Sequence, residues 1–399
     1  MWRITAAMAT FQTHLWCYLW DLVDEGIDGV LDRLQGEAGI TGISVATNYH
    51  RVDQLRSHAS NGPRRFISAG GSQFQPQGAC YASTRMRPVV AQWLRKTNPL
   101  AAVAEACTKR GLTLRAWHVC CHGSAMVERY PAGGVKDVFG AVSPAWLCPS
   151  NLDVRECLRG MVEDLGTHYG FEAIELERAS FPTDLHAHHH EKEGFACGPA
   201  GDWLRGLCFC ESCRQLATRE GVDVAEAAKV ATRYLEGVLA SGEPLATEPD
   251  ELLDREPALA AYANWRRKQV TSLIKLIRTT CPCRLIVHRS GPPLWGATDF
   301  AELAATCDAL LAPCYVNDPQ RLATAVRAAT ADTGDVTRVE VGLSACTPPC
   351  SDAAELVAMM RSAVEQGIRS ANIYNYGLLP LTRLEWIRQA CRYASREAR

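Results

Sequence analysis

Hydrophobic and polar positions along the 399-residue chain change period repeatedly. Short apolar runs that read as strands alternate with longer stretches whose apolar residues recur every three or four positions, as on one helix face. The runs are Thr13–Tyr18, Gly42–His50, Leu112–His118, Phe171–Glu177, Arg284–Arg289, Ala309–Tyr315, Val336–Gly342 and Ser370–Tyr376. Helical spacing covers Gly26–Leu34, Ala101–Arg110, Val154–Tyr169, Ala258–Thr280, Asp299–Thr306, Pro319–Ala331, Asp352–Gln366 and Thr382–Ala394. Eight strands alternating with helices predict a parallel sheet, and eight such units closing on themselves make a (β/α)₈ TIM barrel, an α/β fold. A doubly wound open sheet is the alternative, but no Gly-rich phosphate loop follows the first strand, and Gly70-Gly71 is not such a fingerprint. The expected organisation is one domain over 1–399 with a long excursion, 178–257, inserted after the fourth strand.

In such barrels the reacting groups sit where strands end, so the last polar residues of each run become pocket candidates. Here they are His14 and Trp16, Asn48 and His50, Trp117 and His118, Glu175 and Glu177, His288 and Arg289, Tyr315, Glu340, and Asn375 with Tyr376. Rings suit apolar faces, and imidazoles and carboxylates suit hydroxyls, so the expected ligand is a small hydroxyl-rich molecule or an oligosaccharide. Glu175 and Glu177 share a strand face, roughly 6 to 7 Å apart at Cα. Like charges that close raise one pKa, the condition for a general acid at neutral pH. Glycoside cleavage needs a second carboxylate, at about 5 to 5.5 Å for retention or about 6.5 to 9.5 Å for inversion. Glu177 could pair with Glu340 or with Glu175, and ion pairs to Arg178, Arg115 or Arg289 are the bland alternative for each. The stretch from Phe66 to Pro76, with Cys80 and Tyr81, reads as a pocket wall after the second strand.

Charge narrows the partners. Lys+Arg of 42 against Asp+Glu of 44 leaves a net charge of -2, with no basic run to track a phosphate backbone, so nucleic acid is not expected. The first residues are too short in apolar core for a signal peptide, and no apolar run of about 18 residues occurs, so neither secretion nor a membrane partner is expected. Eighteen cysteines spread over so long a chain suit a reducing, cytoplasmic setting rather than a disulfide framework. An assembly of identical chains is left open.

Two clusters carry further chemistry. Cys208-Phe209-Cys210-Glu211-Ser212-Cys213 places three thiols within six residues, and thiolates at that density select zinc, which wants four ligands. The fourth is Cys148, just before the helix that feeds the fourth strand, or Cys197, nearer in sequence. Four thiolates would make a closed, structural site that pins a loop. The second cluster is His186-Ala187-His188-His189-His190-Glu191-Lys192. His186, His188 and Glu191 could hold a second divalent metal, with Lys192 or His118 as base, in a sugar lyase or isomerase. Alternatively His186, His188, His189 and Lys192 contact substrate directly, or the run is an exposed turn.

Cys-Pro before a helix, a strand with a carboxylate at its end, then CxCxxC and a helix resembles the zinc-bearing β-galactosidases of glycoside hydrolase family 42, over about residues 146–219. The resemblance implies a (β/α)₈ retaining hydrolase with zinc on Cys148, Cys208, Cys210 and Cys213, Glu177 as acid/base and Glu340 as nucleophile. The family's acid follows an asparagine, whereas Glu177 follows Leu176. The expected function is therefore glycoside hydrolysis through paired carboxylates, with the metal-dependent lyase and a non-catalytic carbohydrate-binding barrel as alternatives.

Overall fold

The computed structural model describes residues 11–185 and 192–397. Its centre is eight strands: β1 (Gln12–Cys17), β2 (Gly42–Tyr49), β3 (Thr113–Val119), β4 (Ala173–Glu177), β5 (Arg284–His288), β6 (Ala309–Pro313), β7 (Val339–Ser344) and β8 (Ser370–Tyr374). Each pairs in parallel with the next, and β8 pairs in parallel with β1, so the sheet closes. All eight predicted strands are present, and the chain forms a closed (β/α)₈ barrel with helices between the strands.

Strict alternation explains why each strand reads as a near-continuous apolar run. Leu15, Ile43, Val45, Leu114, Ala116, Ile174, Leu176, Val341 and Ile373 face the surrounding helices. Trp16, Ala46, Trp117, Ala173, Ile286 and Leu311 pack with one another inside the barrel. The helix Leu152–His168 shows how the outer layer is fixed: the Asn151 side chain accepts from Val154 N, and Leu158, Met161, Val162 and Leu165 are buried against the strands. Each such side chain contributes roughly 1.5 to 3 kcal/mol of burial.

Two features depart from the expected boundaries. Val336–Arg338 is a turn of 3₁₀ helix whose Asp335 cap accepts from Thr337 N, so β7 starts only at Val339. Two antiparallel hairpins rise from βα connections: Val52–Leu55 with Arg65–Ser68, and Gly134–Lys136 with Val142–Leu147. After β4 the excursion carries the helices Gly198–Arg205, Glu211–Arg219, Val224–Ser241 and Pro249–Arg255 before the long helix Pro257–Arg278 returns to β5. No helix among the described residues is long and apolar enough to cross a membrane.

Candidate functional site

At the C-terminal mouth of the barrel, one strand ends in a carboxylate that is partly open. Glu177, the last residue of β4, keeps about a quarter of its side chain exposed. One oxygen accepts from Trp117 Nε1 at 2.5 Å, and Arg178 Nε stands 4.0 Å from the other. Arg178 adopts φ 53°, in the left-handed region that a non-glycine residue enters at a cost of order 1 to 3 kcal/mol. Its guanidinium also reaches Asp184 at 3.6 Å, bonds Thr183 Oγ1, and lies over the Trp146 ring at 6.0 Å.

Tyrosines surround this carboxylate. The Tyr18 hydroxyl is 3.0 Å from those of both Tyr49 and Tyr374. Burial pushes all three phenols above their usual range, so each keeps its proton and can donate. Tyr18 stacks on Trp20 and on Trp117, and Trp20 on Phe66 of the first hairpin. Tyr315 stays 39% exposed at the rim, its ring 5.4 Å from that of Tyr374. On the other side Tyr49, His50, His122 and Trp146 form a ladder of stacked rings, at 4.3, 4.4 and 4.7 Å. Of the predicted residues, Glu177, Trp117, Tyr315 and His50 therefore meet at the mouth.

Several others lie elsewhere. Glu340 is the second residue of β7 rather than near its end, because β7 starts late. Its carboxylate is buried and bound by Arg115 Nη1 at 2.5 Å, Arg284 Nη2 at 3.1 Å and Ser370 Oγ at 3.0 Å, at the opposite end of the barrel. Burial alone would raise its pKa, but Arg115 and Arg284 outweigh that and hold it below the usual range. The expectation that Glu340 reaches substrate is corrected: no face of it opens to the mouth. His14 shares that lower region, 2.8 Å from Thr113 Oγ1, and burial with nearby Arg115 keeps it neutral.

Glu175 sits between the two ends and is fully buried. It accepts from Trp16 Nε1 at 2.8 Å and Asn372 Nδ2 at 3.1 Å, with His288 Nε2 at 3.6 Å and Arg115 at 3.9 Å. Trp16 and His288 thus serve Glu175 beneath the mouth and are corrected from rim positions to interior ones. His118 alternates out of step with Trp117 and bonds Thr47 at 3.1 Å; burial lowers it to about 3, so it is a neutral, buried residue of the outer layer, away from the mouth. A bulge in β2 between Ala46 and Asn48 buries Asn48, which donates to the Val119 carbonyl. Arg289 pairs with Asp332 at 2.7 Å and covers Phe300 on the outside. Asn375 caps a turn through Gly377 N, and the Tyr376 hydroxyl lies 2.9 Å from Glu25 and 2.8 Å from Arg33. Both are buried and corrected from the mouth list. In the expected pocket wall, Phe66 does border the mouth, whereas Tyr81 is core and bonds Asp164. His186, His188, His189 and Glu191 lie outside the described residues. Lys192 is exposed and lines a cavity of about 610 Å³ beside Asp184 and Trp146.

Arg178 and Asp184 were not predicted to act at the mouth. The only signal was the adjacent Glu177-Arg178 pair, which reads equally as a surface ion pair.

The thiols of Cys148, Cys208, Cys210 and Cys213 converge, all buried and within 4.8 Å of one another. Cys148 Sγ is 3.5 Å from Cys213 Sγ and 3.6 Å from Cys210 Sγ. A tetrahedral ion with bonds of about 2.3 Å sets sulfurs roughly 3.8 Å apart, so the donor set fits zinc. Four thiolates packed this closely and out of water would repel one another unless a cation lay among them. Lys136 N donates to Cys208 Sγ at 3.4 Å, so the second hairpin supports the knot. Cys197 is not in the group; it neighbours Arg205 at 3.7 Å.

No family model and no curated protein matches the chain. Solved structures do. α-L-Fucosidase isoenzyme 2 from Paenibacillus thiaminolyticus superposes with TM-score 0.56 at 11% identity, covering 96% of this chain and 49% of that one. The β-galactosidase from the psychrophilic Marinomonas ef1 gives TM-score 0.56 at 13% identity, covering 97% of this chain and 59% of that one. The chain thus spans half to three fifths of these glycoside hydrolases, and what it shares with them at such identities is the barrel fold.

Proposed function

We propose that the chain is a carbohydrate-acting barrel of the glycoside hydrolase kind, with Glu177 as the carboxyl that exchanges a proton with the glycosidic oxygen. The observation that carries this reading is the setting of Glu177: an inward-facing carboxylate at the mouth, fixed by Trp117 and ringed by tyrosines. Indole and phenol rings match the C–H faces of a pyranose, and the hydroxyls of Tyr18, Tyr49 and Tyr374 match its polar edge. Trp117 would hold one oxygen of Glu177 in place while the other, the reacting one, meets substrate.

A structural zinc on Cys148, Cys208, Cys210 and Cys213 belongs to the same proposal. It would supply no reacting group; the four cysteines would tie the β3–β4 connection to the β4 excursion and so keep the mouth in shape. Kinship with the zinc-bearing β-galactosidases of family 42 is supported by this thiol set and by the position of Glu177. It is weakened at Glu340, whose ion pairs leave no route to a covalent intermediate. We place the protein in the cytoplasm as part of this reading, since many thiols dispersed through the fold suit a reducing compartment.

The second reading, a non-catalytic carbohydrate-binding barrel, has its own observation: both carboxylates expected to partner Glu177 are tied down, Glu340 by arginines and Glu175 by Trp16 and Asn372. A panel of 4-nitrophenyl glycosides decides between them. Glu177→Gln should lower kcat about 10² to 10⁴-fold on any substrate turned over. Melting shifts with sugars but no turnover by the wild type would favour the binder.

A further inference from the structure

Beside the mouth lies the 610 Å³ cavity, between the second hairpin and the β4 excursion. Its rim carries large apolar side chains that solvent still reaches: Phe139 is 52% exposed, Leu239 53%, and Val142 and Phe195 40% each. Single exposed apolar residues are ordinary, but four converging on one concavity mark a binding surface. Of the charges lining it, Arg205 is held by Asp202 and Glu193 and Asp184 by Arg178, while Asp137 accepts from Ala141 N and Lys192 is exposed at the rim. The apolar side chains at its rim favour an apolar ligand, and its volume falls in the range that encloses a drug-sized molecule.

Its position decides which molecule. Asp184 and Trp146 line it, and the Arg178 guanidinium that touches Asp184 and covers Trp146 also touches Glu177. One side chain thus separates the cavity from the carboxylate at the mouth. We infer that this cavity receives an uncharged apolar aglycone, of aryl or fused-ring size, while the sugar to which it is joined lies against Trp117, Tyr315 and Tyr374. The inference rests on the hydrolase reading and adds the substrate class: a glycoside of a hydrophobic alcohol or phenol rather than a free oligosaccharide.

The experiment uses the whole chain and the uncharged dye Nile red, with 4-methylumbelliferone and 2-naphthol as competitors. Phe139→Ser and Leu239→Ser both change half-exposed positions, so the fold should persist, which circular dichroism checks. Saturable dye binding, displaced by both phenols and weakened about tenfold in each variant, is the expected result. In parallel, kcat/KM for 4-methylumbelliferyl glycosides should drop in the variants while that for the matching methyl glycosides holds. Dye binding indifferent to both substitutions overturns the inference. So does dye binding that vanishes as identical chains associate on this face, read by sedimentation. If umbelliferyl and methyl glycosides respond alike to the variants, the inference fails while the hydrolase reading stands. If Glu177→Gln leaves turnover unchanged, the hydrolase reading fails and takes the aglycone with it, even where the dye still binds.

Discussion

The two ends of the barrel use the same residue types in opposite ways. At the bottom, Glu340 and Glu172 are locked by Arg115 and Arg284 in a lattice built from the strands themselves. At the mouth, Glu177 meets a neutral indole N–H and the edge of one guanidinium and keeps access to solvent. The bottom is held from within by residues of the strands and their starts, whereas the mouth is bordered from outside by the loops on which the four cysteines converge. A carboxylate inside a barrel is therefore not a catalytic candidate by type: depth along the strand decides whether it braces the fold or faces a ligand.

The largest effect should come from removing the outside support. Cys148→Ser, or chelation under mild denaturant, should take bound zinc from one ion per chain to none and destabilise the protein by more than about 4 kcal/mol, since loss of a metal belongs to the severe class. Metal analysis with a melting curve checks it. Cys281→Ser is the control, because the Cys281 and Cys283 sulfurs, 3.9 Å apart, belong to no group of metal-ligating residues found among the described ones. Equal metal loss in both variants would dissolve the distinction.

Next comes a direct exchange between the ends. Glu340→Ala leaves the buried Arg115 guanidinium, and with it the half-exposed Arg284, short of a partner and should cost about 3 to 5 kcal/mol by urea denaturation. Glu177→Gln, partly exposed and isosteric, should shift stability by less than about 1 kcal/mol while removing activity. If Glu177→Gln proves the more destabilising of the two, the mouth carboxylate is a brace and the comparison is inverted.

The ends should also titrate with opposite signs. Glu340 has a lowered folded pKa, so its contribution is full above the unfolded value, near 4.5, and is lost as pH falls toward the folded one. Asp21, in the helix Leu19–Glu25 that leaves β1 at the mouth side, is raised from 3.8 to about 6, because burial outweighs its bonds to Gln54 and Arg56. Its ionisation is therefore disfavoured by the fold, and stability falls as pH rises from about 4 to 6, by up to about 3 kcal/mol. Asp21→Asn should flatten that slope and leave the acid limb below about 4.5 in place. Parallel curves for wild type and variant would mean that the Asp21 carboxyl does not titrate in this window.

These contrasts also show what could be read from the chain itself. The eight strands were legible because burial on both faces makes each a short apolar run, and Cys148 was legible because its helix starts on the side where the β4 loop returns. Depth and parity were not. A turn at Val336–Arg338 moved the start of β7 and sank Glu340. A bulge after Ala46 turned Asn48 to the Val119 carbonyl, and simple alternation sent His118 outward beside Trp117. Each is a one- or two-residue offset, invisible to a hydrophobic pattern yet enough to flip a side chain to the other face. Arg178 depends on a left-handed backbone that its sequence neighbours do not announce.

The smallest effect is the most local test of the mouth. The Tyr18 hydroxyl can donate to one of Tyr49 and Tyr374 and accept from the other, so it is the hub through which the three phenols orient one another. Tyr18→Phe removes the hub and leaves its stacking on Trp20 and Trp117 intact. The loss in stability should be about 1 to 2 kcal/mol, the net worth of the two hydrogen bonds removed. If the phenols exist to order one another, that is all that changes. If they exist to meet sugar hydroxyls, Tyr18→Phe should also raise KM severalfold with kcat preserved, because the freed Tyr49 and Tyr374 hydroxyls no longer share one orientation. A fall in kcat with KM unchanged would instead place the tyrosine cluster in the transition state beside Glu177, and the mouth would then have two reacting groups rather than one.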